Sequence, residues 1–240
     1  MKLSIVLPAY NEEENIQKAA EVCLEYLAGK DGEVIVVDDG STDKTREILA
    51  ALVKKHPSLR VIHHPTNLGY ATALKDGFLS AHGEWIFYTD ADLQFDIQEM
   101  DLLFPYQDQA DIIVGYRKNR QDPATRIFAA RVYNLIIRTL FGVKVRDVDA
   151  AFKLFHRSVF DKIRIESSQF LIDAEILSKA AYLKLPTIEV AVTHFVRQGG
   201  KSTVRFKHVI QTLLGIGWLW NRIYGSPGIV EHPRESGKPS

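Results

Sequence analysis

Two carboxylates one residue apart, Asp90 and Asp92, with Gln94 two positions on, carry the strongest chemical signal in the chain. The apolar run Trp85-Ile86-Phe87-Tyr88 leads straight into them. A run that short, rich in aromatic and β-branched residues, reads as a buried strand. The acids therefore sit where a strand ends and the chain turns, the edge at which open α/β sheets bind ligands. Carboxylates crowded there repel each other unless a cation lies between them. Hard oxygen ligands suit Mg²⁺ or Mn²⁺, and Mg²⁺ typically takes one or two carboxylates plus the phosphates of its substrate. Asp-x-Asp also occurs in ordinary strand-end turns, where Asp only caps a loop or helix. The surrounding chain has to decide.

The elements that position these acids follow from periodicity. Strands are predicted over Lys2–Leu7, Glu33–Val37, Leu59–His63, Trp85–Tyr88, Asp111–Gly115 and Thr187–Val192. Helical spacing falls at Glu12–Leu27, Lys44–Lys54, Ala71–Ala81, Ala124–Phe141 and Phe170–Leu183. Strands alternating with helices imply βαβ units and a doubly wound, mostly parallel sheet of the α/β class. Near-continuous hydrophobicity in the strands agrees, because parallel strands are buried on both faces. Neither a Gly-x-Gly-x-x-Gly after the first strand nor a Walker lysine motif occurs, which argues against a dinucleotide dehydrogenase or P-loop NTPase.

Composition narrows the class. At 240 residues the chain fits one domain, expected over 1–224, with a disordered tail over 225–240. Lys+Arg and Asp+Glu both number 30, so global charge identifies no partner, and no nucleic acid is expected. Local charge says more. Between Arg117 and Arg146 eight basic residues face only Asp122 until Arg146, and Arg197 to Lys207 is basic without an acid. Two basic patches in a neutral chain suggest a bound anion or an anionic surface. The lone Cys23 excludes an internal disulfide and reads as a core residue. The chain starts directly on a strand without a signal peptide, and no apolar stretch reaches the ~18 residues of a membrane span.

Four polar loops follow successive strands: Pro8-Ala9-Tyr10-Asn11-Glu12, Asp38-Asp39-Gly40-Ser41, Asn67-Leu68-Gly69 and Asp90-Ala91-Asp92. Each is ordinary alone. In this order they resemble the N-terminal half of family 2 glycosyltransferases, whose GT-A fold implies a Rossmann-like nucleotide-sugar half, here 1–116, followed by an acceptor half, 117–224. The resemblance is nearer to the dolichyl- and polyprenyl-phosphate sugar synthases. It rests on Asp90-Ala91-Asp92-Leu93-Gln94, Val114-Gly115-Tyr116-Arg117, Arg146-Asp147 with Phe152-Lys153-Leu154-Phe155, and Phe195-Val196-Arg197-Gln198-Gly199-Gly200-Lys201-Ser202. Phe-Lys-Leu-Phe looks like the glucosyl-transferring members; the mannosyl members usually carry Gly-Phe-Arg.

The resemblance implies roles. Asp90, Asp92 and Gln94 hold a divalent metal that bridges the nucleotide diphosphate, and Ala91 lies among the donor contacts. Tyr10 would stack on the nucleobase, since every base offers a π-face. Pro8 and Val37 would floor that pocket, while Glu12 and Asp39 accept hydrogen bonds from base and ribose. Arg117, Arg126 and Arg131 would hold an acceptor phosphate, for which Arg offers bidentate geometry. Arg197 and Lys201 sit in a Gly-rich loop that in the family closes over the donor. The expected activity is inverting transfer of a hexose from GDP-mannose or UDP-glucose to a polyprenyl or dolichyl phosphate. The nucleotide and the sugar are both left open.

Two rivals stay on the table. A same-fold transferase acting on a sugar hydroxyl would need a general base among Asp147, Asp149, Asp173 and Glu175. A nucleotidyltransferase would show a Gly-rich basic loop after the first strand, which Pro8–Glu12 lacks. Ala124–Phe141 and Phe206–Tyr224 combine apolar and aromatic residues with Arg and Lys, as interfacial helices do. A peripheral position at the cytoplasmic face of a membrane is therefore expected, with room for a membrane-subunit partner.

Overall fold

The computed structural model describes residues 2–167, 171–196 and 214–225. Seven strands form one sheet: β1 (Leu3–Ala9), β2 (Gly32–Asp38), β3 (Leu59–His63), β4 (Trp85–Thr89), β5 (Ile112–Arg117), β6 (Phe152–His156) and β7 (Thr187–Val192). Their spatial order is β3-β2-β1-β4-β6-β5-β7. Every neighbouring pair is parallel except those made by β6, which runs antiparallel to β4 and β5. The helices are α1 (Ile16–Tyr26), α2 (Thr45–Val53), α3 (Tyr70–Ser80), α4 (Ala124–Phe141), α5 (Val159–Lys162) and α6 (Ile172–Tyr182).

Alternation along β1 divides the core. Leu3, Ile5 and Leu7 pack with Ile16, Ala20 and Cys23 of α1 and Leu49 of α2. Val6, one step out of phase, packs with Val37, Leu74 and Phe78 and belongs to the core of α3, α4 and α6. Adjacent strand residues point to opposite faces, so a strand covered on both sides is apolar throughout. Helix α3 lies close on β1: a Cβ at Gly77 would come within 2.4 Å of Val6 Cγ1.

Strand order reverses at β1, which has β2 on one side and β4 on the other. Such a switch point opens a crevice beyond the carboxyl ends of the strands. The polar loops after β1, β2 and β4 all border it.

Strand β6 was not expected from periodicity. Lys153 interrupts its apolar run, yet both Phe152 and Lys153 are fully buried. Its register sets Lys153 beside Tyr88 of β4, where a partner for the charge waits on α6.

Candidate active site

The loops after β1 and β2 are stitched together. Asn11 N donates to Ser41 Oγ (3.0 Å), Thr42 N to Asn11 Oδ1 (2.8 Å), and Glu12 N to Thr45 Oγ1 (2.9 Å). Asn11 has φ 54°, a left-handed conformation that Asn tolerates better than most residues. Tyr10 and Glu12 are partly exposed there. Gly40 has φ +71°, and a Cβ on it would lie 2.3 Å from the Thr66 carbonyl carbon. Only glycine lets the 64–69 segment close against this turn.

Two expected nucleotide contacts are used differently. Val37 is fully buried and faces α3, where a Cβ on Gly77 would touch its Cγ2 at 3.3 Å. It pairs in register with Pro8, which is also buried, so this pair forms core rather than an open floor. Asp39 accepts from His64 Nδ1 (2.7 Å), Leu68 N (2.8 Å) and Gly69 N (2.8 Å). Three donors already converge on that buried carboxylate, and its effect is to fix the loop before α3. The neighbouring Asp38 likewise takes Ser41 N, Arg46 and His63.

At the end of β4, Asp90 accepts from the Tyr70 hydroxyl at 2.9 Å and Asp92 from Gln94 N at 3.2 Å. Leu93 between them and Gln94 has φ 58°. A left-handed leucine is strained, and such strain concentrates at functional turns. Asp90 touches solvent but lies deep in the crevice. Burial first, then the charge of Asp92, push its carboxyl up to about 7. Two oxygen donors so held, one of them destabilised as an anion by the other, fit a hard divalent cation. Gln94 Nε2 donates to Phe195 O (3.1 Å), and Phe195 N returns a bond to Gln94 O (2.8 Å). The Asp90–Gln94 loop is thereby tied to the segment just before residue 197. Among the described residues no cluster of three His, Cys, Asp or Glu side chains forms a complete metal cage.

Behind the acid pair lies a buried network that sequence reasoning did not find. Lys153 Nζ donates to Asp173 Oδ1 (2.7 Å), Tyr88 Oη (3.0 Å) and Ala150 O (2.5 Å). The Tyr88 hydroxyl also donates to Asp173. The available signal was a lysine inside the run Phe152–Phe155: a charge buried there requires an acid from another element.

Four other carboxylates surround the centre, and three are occupied. Asp147 takes Arg117 Nε (2.8 Å) and Nη2 (2.6 Å) in a two-point pair. Asp173 is held by Lys153 and Tyr88. Glu175, fully buried, takes Glu166 N (2.9 Å), Ser167 N (2.8 Å) and Lys179 Nζ (2.6 Å). Asp149 is the exposed one. The crevice around it and the charge of Asp173 push it up to about 7.

The arginines divide in the same way. The Arg117 side chain is only 8% exposed; Asp147 claims its fork, so it is less open to a phosphate than expected. Arg126 pairs with Asp122 at 3.2 Å but stays about half exposed, and Arg131 is exposed on α4. Arg120 completes the group on Asp122 (2.6 Å). Arg197 and Lys201 lie outside the described residues.

Comparison with known proteins follows the same geometry. The family model described as Glycosyl transferase family 2 matches residues 4–164. A dolichyl-phosphate beta-glucosyltransferase of Drosophila melanogaster is 33% identical over 228 residues, covering 85% of this chain and 70% of the relative. One from Trichomonas vaginalis is 30% identical, covering 84% and 68%. An undecaprenyl-phosphate 4-deoxy-4-formamido-L-arabinose transferase of Pectobacterium carotovorum is 33% identical, covering 88% and 65%. The chain thus spans about two thirds of the length of these curated relatives. Among solved structures, Mycobacterium tuberculosis glucosyl-3-phosphoglycerate synthase with Mn²⁺, UDP and glucosyl-3-phosphoglycerate superposes with a TM-score of 0.72. Identity is 17%, over 95% of this chain and 81% of that one; the likeness is one of fold, and that fold is GT-A.

Proposed function

This chain belongs to glycosyl transferase family 2, and from that premise we propose that it moves a hexose from a nucleotide-sugar to a polyprenyl or dolichyl phosphate. The observation that carries the reading is the pair of exposed arginines on α4, Arg126 and Arg131. A hydroxyl acceptor needs a general base, whereas a lipid phosphate is already ionised at neutral pH. Arg126 and Arg131 stay exposed on α4, and of the four candidate bases Asp147, Asp173 and Glu175 are locked in ion pairs, which leaves Asp149 as the one carboxylate a hydroxyl acceptor would have to use. The relatives named for dolichyl and undecaprenyl phosphates support the same acceptor class.

In this reading Asp90 and Asp92, with Gln94, would hold Mg²⁺ or Mn²⁺, which when bound offsets the charge appearing on the leaving diphosphate. Tyr10 and Glu12 would contact the nucleoside. Arg126 and Arg131 would draw the lipid phosphate toward the anomeric carbon for direct, inverting displacement, and Arg117 would keep the Asp147 loop in place. The mannose or glucose identity of the hexose is a matter for the assay.

A lipid acceptor requires a membrane-facing surface. Helix α4 turns Ile137 and Phe141 to the core and leaves Phe128 69% and Leu135 63% exposed, with Arg131 and Arg138 on the same outer side. Trp218, Trp220 and Tyr224 are exposed on the segment that follows residue 214. An apolar face bordered by arginines suits the headgroup layer. Among the described residues no helix is long and apolar enough to cross a membrane.

The test compares acceptors. Purified protein with Mn²⁺ receives sugar-labelled GDP-mannose, UDP-glucose or UDP-GlcNAc, with either a short polyprenyl phosphate or the matching polyprenol. Label entering the organic phase with the phosphate alone is the expected outcome. Label with the polyprenol, or with neither, contradicts the reading.

A further inference from the structure

The loop 147–150 is pinned on every side of one residue. Asp147 is gripped by Arg117 (2.6 and 2.8 Å), Val148 N donates to Asn134 Oδ1 on α4 (3.0 Å), and Ala150 O accepts from Lys153 (2.5 Å). Asp149 alone in this stretch is exposed, and no hydrogen bond ties it among the described residues. A carboxylate held by its neighbours but left open is a presented group, not a structural one.

Next to Asn134, the residue that clamps Val148, stands Tyr133. Its hydroxyl is buried and has no hydrogen-bond partner among the described residues. A buried unpartnered phenol costs free energy and calls for an explanation. Tyr133 packs against the buried core that includes Val148 and Ala151, on either side of Asp149 in the chain, and the charges of Asp149 and Asp173 both act on its hydroxyl. Tyr70 and Asp90 already satisfy each other nearby; Tyr133 and Asp149 do not.

We infer that Tyr133 and Asp149 together recognise hydroxyl groups of the hexose being transferred. The inference rests on the proposed donor and goes beyond it by naming the residues that read the sugar. The chemistry fits. A sugar hydroxyl donates to a carboxylate and accepts from a phenol, so one hydroxyl, or two neighbouring ones, completes both groups. The rigid tethering of residues 147, 148 and 150 fixes where that hydroxyl must lie. A site that leaves polar groups unpaired when a hydroxyl is missing or inverted discriminates strongly between sugars.

The experiment measures Mn²⁺-dependent binding of UDP-glucose and GDP-mannose, and of UDP and GDP alone, by calorimetry. It uses the unaltered chain, Tyr133→Phe and Asp149→Asn. Tyr133→Phe removes only a hydroxyl without a partner, so folding survives; thermal melts check both variants. The expected result is about 3–10-fold weaker binding of the recognised nucleotide-sugar for Tyr133→Phe and about tenfold or more for Asp149→Asn. Binding of the matching sugar-free diphosphate stays unchanged. Equal weakening of sugar-bearing and sugar-free ligands, or no change in either, overturns the inference while leaving the donor reading intact. An unaltered chain that binds no nucleotide-sugar overturns both.

Discussion

Replacing Lys153 by methionine removes a buried charge while keeping most of the side-chain volume. The ammonium is fully enclosed and spends its three donors on Asp173, Tyr88 and Ala150 O. Without it, Asp173 keeps the Tyr88 hydroxyl but loses the cation that balances its charge, and a buried carbonyl loses its donor. Breaking one side of a buried ion pair costs about 3–5 kcal/mol. For a chain of this size, each kcal/mol shifts the melting temperature by about 2–4 °C, so the drop should be about 6–20 °C. Circular dichroism melts and urea titration both read it. Adding Asp173→Asn removes the stranded charge, and the double variant should regain a large part of the loss. A Lys153→Met variant within about 1 kcal/mol of the parent refutes the reasoning. A double variant no better than the single refutes its electrostatic half. Sugar transfer should fall in the single variant even below its melting range, because Ala150 and with it Asp149 lose their anchor.

Two further outcomes follow from the site. Asp90 and Asp149 both stand near 7 in the folded chain, above the ordinary value of 3.8. The native state therefore holds more protons between about pH 4 and 7, and the contribution of these groups to stability falls as pH rises through that window. Mn²⁺ should bind more weakly as pH drops below 7 and should raise the melting temperature more at pH 8 than at pH 5; an equal Mn²⁺ effect at both pH values contradicts the pairing of Asp90 and Asp92. On the outer face of α4, Phe128→Asp or Leu135→Asp should change stability by no more than about 0.5 kcal/mol. The same variants should cut co-sedimentation with anionic liposomes several-fold, and undiminished sedimentation would remove α4 from the membrane contact.

Much of this arrangement was legible in the sequence because buried parallel strands advertise themselves. The runs ending at Leu7, Val37, His63, Tyr88, Gly115 and Val192 appear as β1–β5 and β7 within a residue or two, and the site loops follow them. Strand β6 escaped because its second residue is Lys153, and a charge inside so short a run hides its burial. The partner, Asp173, lies twenty residues on in a helix whose residues 172–180 are all buried, a pairing that only the tertiary structure reveals. Val37 was expected to floor the base pocket and Asp39 to accept bonds from base or ribose. The tertiary packing adds what the sequence did not show: α3 covers the valine, and the backbone of Leu68 and Gly69 holds the aspartate. Arg117 was legible as a basic residue after a strand, but its fork turns to Asp147 thirty positions away. Tyr133 gave no signal, since an unpartnered hydroxyl is visible only once its surroundings are known.

The most direct test of the account is sugar transfer by the unaltered chain and by Asp92→Ala. Both are incubated with Mn²⁺, a labelled nucleotide-sugar and a short polyprenyl phosphate, with and without a chelator. The account predicts label in the organic phase for the unaltered chain, lost on chelation and lost with Asp92→Ala although that variant stays folded. Transfer that survives both treatments would contradict a metal-dependent reaction at Asp90 and Asp92.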